Sequence, residues 1–178
     1  MKTNKMTLRI NGKIIIQHCL EGMYDFCSDI IVVGGFGIGN IKPVLSEYKK
    51  VKLVYNPNYK DGMFSSVRTG LAFVNAERFF LIPGDYPAIR ASVYKDLIDT
   101  DGDIIIPTYK GERGHPVLMK SFLVGEIIQN NRYTNLQEFI YDKGCKEIEL
   151  GECGILMDVD TPSDYAKVVQ YMTYHHNV

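Results

Sequence analysis

Four consecutive apolar residues, Phe79, Phe80, Leu81 and Ile82, run straight into Pro-Gly-Asp-Tyr-Pro, and this stretch restricts the fold more than any other in the chain. An unbroken apolar run of that length, closed by turn residues, suits a strand covered on both faces. Pro83 has no N–H to give and ends the ladder. Gly84 lets the backbone turn sharply or approach a ligand closely. Asp85 therefore sits just past the carboxyl end of a strand, where open α/β sheets bind their ligands. A carboxylate there suits Mg²⁺, a hard cation that prefers oxygen. The plainer reading is a turn aspartate between Gly84 and Pro87.

Similar runs recur, separated by helical patterns. Met6 to Ile10 reads as a strand and Lys13 to Phe26 as a helix. Ser28 to Val33 and Val51 to Tyr55 read as strands, with a glycine cluster and a helix to about Tyr48 between them. Phe64, Val67, Leu71 and Val74 form one face of a helix. The pattern continues with a helix over Ala91 to Ile98, strands at Asp103 to Pro107 and His115 to Met119, and helices at Phe122 to Gln129 and Asn135 to Tyr141. Lys146 to Leu150 reads as a half-exposed strand and Ile155 to Met157 as a last short one. Thr161 is a good N-cap, Pro162 suits the first helical position and Asp164 the first turn, so a final helix starts there. Such alternation predicts right-handed βαβ units and a doubly wound, mostly parallel sheet of the α/β class, here as one domain over residues 1–178.

Bulk properties exclude several classes. The 178 residues are 46% hydrophobic with net charge −1, which gives no cationic surface for nucleic acid or a membrane. No apolar run approaches a membrane span, and Lys2, Lys5, Arg9 and Lys13 break any signal-peptide core. Cys19, Cys27, Cys145 and Cys153 lack zinc-site spacing, so free thiols in a reducing cytoplasm are expected.

Four loops carry chemistry. In GGFGIGN, Gly35, Gly37 and Gly39 are evenly spaced, which does not match G-x-G-x-x-G, and the next strand ends in Asn56 rather than an acidic residue. A turn requiring positive φ accounts for these glycines. Gly62, Ser65 and Ser66 gather at a helix N-terminus, where they either receive a phosphate or ribose or simply cap the helix. Arg113, Gly114 and His115 lie on a loop where Arg113 either clamps a phosphate or is the solvated arginine of a hairpin. Asp158 directly follows the last predicted strand, as Asp85 follows its own, so the two carboxylates are candidates to share a metal ion. Asp160 also has a purely structural reading at the helix N-terminus.

The segments GMFSSVRTGL, GDYP, GERGHPV and DVDTPSDY resemble, in spacing, the molybdenum cofactor cytidylyltransferases, NTP transferases related to the guanylyltransferases and to sugar-phosphate nucleotidyltransferases. The resemblance runs from Lys5 onward. It implies a Rossmann-like fold of the nucleotide-diphospho-sugar transferase type, with Mg²⁺ as cofactor. The implied reaction is attack by a terminal phosphate of molybdopterin on the α-phosphate of CTP, with release of pyrophosphate. By the same resemblance Asp85 and Lys5 are catalytic and Asp85 and Asp158 are metal-side residues. Gly62, Ser65, Ser66 and Gly84 fall on the nucleotide side, and Arg113, Gly114 and His115 on the acceptor side. A molybdoenzyme is an implied partner.

Against that family's opening motif, LAAGxSxRMGxxK, Met1 aligns with the Met, Lys5 with the final Lys, and Lys2 with the second glycine. The motif's strand would lie between the Asp85 strand and the one at Ile30 to Val33. The expectation is that it lies upstream, or that this is a truncated relative with a gap in its sheet, lower stability and weak activity. Two alternatives accompany this reading: a nucleotide-, cofactor- or partner-binding domain without turnover, and a sugar-phosphate nucleotidyltransferase.

Overall fold

The computed structural model describes residues 5–130 and 132–175; Met1 and Lys2, aligned above with the opening motif, lie outside them. The chain forms β1 (Arg9–Ile10), β2 (Lys13–Ile14), α1 (Ile15–Met23), β3 (Ile30–Gly34), α2 (Lys42–Leu45), β4 (Val51–Tyr55), α3 (Met63–Leu71) and β5 (Arg78–Leu81). It continues with α4 (Ala91–Ile98), β6 (Ile104–Tyr109), β7 (Glu112–Arg113), β8 (Val117–Lys120), α5 (Val124–Gln129), α6 (Leu136–Lys143), β9 (Lys146–Glu149) and α7 (Pro162–His175).

The fold is α/β as expected, and its pairing is mixed. β3 and β4 run parallel, as do β6 and β9. β8 lies antiparallel between β5 and β6, and β7 turns back antiparallel on the end of β6. Alternation along the strands assigns side chains to two faces. Ile105, Leu118 and Phe80 pack with α1 and α4 residues such as Leu20, Val93, Tyr94 and Leu97. Their sequence neighbours Ile104, Ile106, Val117, Met119, Phe79 and Leu81 pack on the other side with Phe64, Leu71, Ile127 and Phe139. Helices therefore cover both faces. A third cluster, including Ile10, Ile15, Cys19, Val159 and Val168, seats α7 against the start of α1.

Four expectations change. Met6 to Ile10 is not one strand: Lys5–Thr7 is a 3₁₀ turn and only Arg9–Ile10 is extended. Lys13 to Phe26 is not one helix: Lys13 and Ile14 pair with β1, because Asn11 and Gly12 take positive φ and turn the chain back. Ile155 to Met157 is not a strand; Cys153–Leu156 is a 3₁₀ turn, so Asp158 follows a turn and not a strand. Phe79 to Ile82, expected to be buried on both faces, is only half-buried, whereas Ile104 to Pro107 in β6 is buried throughout. The reason is pairing: β6 has neighbours on both edges, while among the described residues β5 pairs with β8 alone. Among the described residues no strand joins β3 and β5 in one sheet.

Candidate active site

Asp85 leaves β5 through Ile82, Pro83 and Gly84. A Cβ on Gly84 would stand 3.0 Å from Ile16 Cδ1, so the loop packs directly on α1. The Cys19 thiol donates to the Gly84 carbonyl at 3.2 Å, and burial pushes its pKa up and keeps it protonated. Asp85 itself is 8% exposed. Lys5 Nζ donates to Asp85 Oδ2 and to Asp160 Oδ1, each at 2.5 Å. Among the described residues Asp85 Oδ1 is buried with no hydrogen-bond partner. The backbone N–H of Val159 donates to the Asp85 carbonyl at 3.0 Å, which ties the Asp158–Asp160 segment to this loop.

The electrostatics follow from three carboxylates and one ammonium. Burial works against the Lys5 charge, but its hydrogen bonds to Asp160 and Asp85 outweigh that and hold its pKa above the usual value. Asp160 is held low by its bond to Lys5. Asp158 is pushed up, by burial first and then by the Asp160 and Asp85 charges. Burial, with Asp158, Asp85 and Asp160 nearby, pushes the Tyr86 phenol up to about 12. The cluster is thus short of positive charge, and its donors are all carboxylate oxygens. That set, together with the orphaned Asp85 Oδ1, fits a small hard divalent cation whose remaining ligands are waters or phosphate oxygens. Among the described residues no group of three or more His, Cys, Asp or Glu is arranged to hold a metal ion by itself.

His115 joins the edge of this cluster. Its ring meets Tyr86 edge-to-face at 4.7 Å, and its backbone N–H donates to the Ile155 carbonyl at 3.0 Å. Burial lowers its pKa more than the Asp85 charge raises it, so the imidazole is neutral near pH 7. Gly114 is needed for close approach: a Cβ there would lie 2.6 Å from the Ile155 carbonyl oxygen. Arg113 is not brought to Asp85. It is exposed, and its Nε and Nη2 both donate to Glu147 Oε1 on β9.

Gly62, Ser65 and Ser66 assemble around a residue given no role in the sequence reading. Asn56, 1% exposed at the end of β4, donates through Nδ2 to Ser65 Oγ at 2.9 Å and Ser66 Oγ at 3.0 Å. Its Oδ1 accepts the Asn58 N–H at 2.9 Å. Gly62 has φ +93°, which strains any other residue at the start of α3. Arg68 donates to the carbonyls of Ile127, Asn130 and Tyr133, joining α3 to α5 and the chain after it. A cavity of about 350 Å³ opens here, lined by Asn58, Asp61, Phe64, Ser65, Arg68 and Tyr133 among others. The signals for Asn56 and Asp160 were present in Asn-Pro-Asn after a strand and in the second aspartate of DVDTP, but both motifs also have ordinary turn and cap readings. The glycine cluster is a turn, as expected: Gly37 takes φ +78°, and the α2 helix that follows is only four residues long.

Residues 1–147 match the family described as "MobA-like NTP transferase domain". The chain is 26% identical over 162 residues to a molybdenum cofactor cytidylyltransferase of Escherichia coli, covering 90% of this chain and 84% of that protein. A nucleotidyl transferase from Methanothermobacter superposes with a TM-score of 0.82 at 20% identity, over 97% of this chain and 87% of that one. Rv0371c from Mycobacterium tuberculosis, in a structure solved with manganese, superposes at 0.79, also at 20% identity, over 95% and 93%. The fold is that of the nucleotide-diphospho-sugar transferases.

Proposed function

Because the chain belongs to the family of MobA-like NTP transferase domains, we propose that it transfers CMP from CTP to a phosphorylated acceptor, molybdopterin, as a single cytoplasmic domain. The observation that carries this reading is the Lys5–Asp85–Asp160 cluster beside Asp158, with a buried Asp85 oxygen left without a partner. In the reaction an oxygen of the acceptor's terminal phosphate attacks the α-phosphorus of CTP. The new P–O bond forms as the bond from the α-phosphorus to the bridging oxygen breaks, and pyrophosphate leaves with that oxygen. A Mg²⁺ ion held by Asp85 and Asp158 would neutralise charge on the phosphates.

The chain's own residues do the positioning. Lys5 supplies an ammonium at the carboxylates and balances their charge until substrate arrives. Ser65 and Ser66, set by Asn56 behind Gly62, present hydroxyls to the nucleotide, while the Gly84 backbone lets it come close. His115, neutral and packed on Tyr86, offers a ring nitrogen to the acceptor, and Gly114 keeps that loop tight. Arg113 reaches a phosphate only by leaving Glu147. A molybdoenzyme that receives the product is the natural partner.

The test is pyrophosphate release from CTP and molybdopterin with Mg²⁺, alongside thermal shifts. Release that falls by about a hundredfold or more in Asp85→Asn is expected, together with a larger rise in melting temperature from CTP than from NAD. A larger shift with NAD overturns the reading. CTP binding without release assigns the chain to the non-catalytic binders, and release only with a sugar phosphate moves the acceptor class.

A further inference from the structure

Lys5 is carried to the acidic cluster by its own segment. Lys5–Thr7 is a 3₁₀ turn, closed by the Leu8 N–H donating to the Lys5 carbonyl at 3.2 Å. The Leu8 carbonyl accepts the Ile15 N–H at 2.9 Å, which fastens the turn to the start of α1. Met6 packs against the same core cluster as Ile16 and Leu20, and a Cβ on Gly84 would stand 3.3 Å from its sulfur. The turn therefore lies against the loop that presents Asp85. From there Lys5 Nζ reaches Asp85 Oδ2 and Asp160 Oδ1, each at 2.5 Å.

Exposure shows which bond holds the ammonium. The Asp85 side chain is 12% exposed, that of Asp160 62% and that of Lys5 33%. A pair as open as Lys5–Asp160 contributes little, so Asp85 is the main anchor. The Lys5 head is partly in solvent on a flexible stem, and it can swing off Asp85 without opening the core. Among the described residues Asp85 Oδ1 is buried with no hydrogen-bond partner. A purely structural ion pair would satisfy both oxygens of so buried a carboxylate; this one engages one oxygen and leaves the other for a second cation. Both oxygens belong to one carboxylate, however. A divalent ion on it shares it with the ammonium, and the two cations repel at short range in a partly buried site. Nucleotide phosphates remove the conflict, because they draw the ammonium away through charge-assisted hydrogen bonds.

We propose that Lys5 is an internal counter-cation that keeps a free divalent ion off Asp85, so that the metal enters with the nucleotide and not before it. This rests on the nucleotidyl-transfer reading above and adds an order of binding to it. Lys5 and the ion compete for Asp85, and the phosphates settle the competition by giving Lys5 another partner. By linkage, anything that removes the Lys5 charge strengthens metal binding in the absence of nucleotide.

The test is Mn²⁺ binding to the full chain without nucleotide, followed by the electron paramagnetic resonance signal of the free ion. Lys5→Met keeps the stem and loses the charge, and it should bind Mn²⁺ about tenfold more tightly than wild type. Lys5→Arg keeps the charge and should bind as weakly as wild type. Adding Asp85→Asn to Lys5→Met should abolish the gain. In wild type, acetic anhydride should label Lys5 severalfold faster once Mn²⁺ is saturating, read by mass spectrometry, because the amine has left its carboxylates. Equal Mn²⁺ affinity in wild type and Lys5→Met, with unchanged far-UV circular dichroism, overturns the proposal and leaves the transferase reading standing. A gain shared by Lys5→Arg, a gain that survives Asp85→Asn, or labelling that stays slow with Mn²⁺ bound also overturns it. Absence of Mn²⁺ binding in every variant at millimolar concentrations overturns both the proposal and the metal-dependent reading.

Discussion

β6 and β3 are written in nearly the same alphabet, Ile-Ile-Ile against Ile-Ile-Val-Val, and they end in different situations. β6 carries β8 and β7 on one edge and β9 on the other, and Ile104 to Thr108 are all buried. Among the described residues β3 has β4 alone, and Ile31, Val33 and Gly34 stay partly exposed. The contrast shows that apolar composition alone does not bury a strand. Neighbours on both edges do, because helices can cover a sheet's faces but cannot satisfy a strand's edge.

The largest expected effect separates the two strands directly. Ile105 is fully buried, so Ile105→Ala removes packing with no room to relax and should cost about 3 kcal/mol. Val33→Ala should cost less than about 1 kcal/mol, because its side chain is already half in solvent. Urea unfolding of both variants measures this, and equal losses would break the comparison.

Next in size is the joint that holds the acidic segment. A Cβ on Gly154 would collide with the carbonyl oxygen of Ala88, a backbone atom that cannot swing away. Gly154→Ala should therefore cost about 2–3 kcal/mol. Gly39→Ala, at the end of the turn after β3, has nothing within 4 Å to meet and should be close to neutral. Calorimetry on the pair tests whether the closed region is the stiffer one.

Asn56→Ala comes third. It leaves the Asn58 N–H without its acceptor and frees the two serine hydroxyls, for a loss of about 1–2 kcal/mol. CTP affinity should fall with it, whereas NAD should be unaffected; thermal shifts with each ligand report both.

The smallest effect is a pH dependence. Asp158 has a raised pKa in the folded state, so its ionised form disfavours folding. That penalty is absent below the ordinary carboxylate pKa of about 3.9 and grows as pH rises through the raised value. At neutral pH Asp158→Asn should thus raise the melting temperature slightly, by no more than about 2 °C given solvent screening, and the gain should vanish near pH 4. The same variant should bind Mn²⁺ more weakly, measured by electron paramagnetic resonance. A variant that is less stable at neutral pH would show that the carboxylate is satisfied and not strained.

Short-range chemistry was legible in the sequence. The Thr161 cap is present, with Asp164 returning a bond to the Thr161 N–H and hydroxyl. α4 spans Ala91–Ile98 as expected, and Asn135 caps α6 by accepting from Glu138. Caps, turns and apolar periodicity depend on residues a few positions apart, so a local reading recovers them. Tertiary structure decided the rest. Lys5 reaches Asp85 across 80 positions and Asp160 across 155. Arg113 was drawn to Glu147, 34 positions away, because β9 lies beside β6. Whether an apolar run such as Phe79 to Ile82 is buried also depended on which strands came to lie along its edges. Those outcomes are fixed by partners distant in the chain, and a strand's own residues carry no record of which edge will be filled.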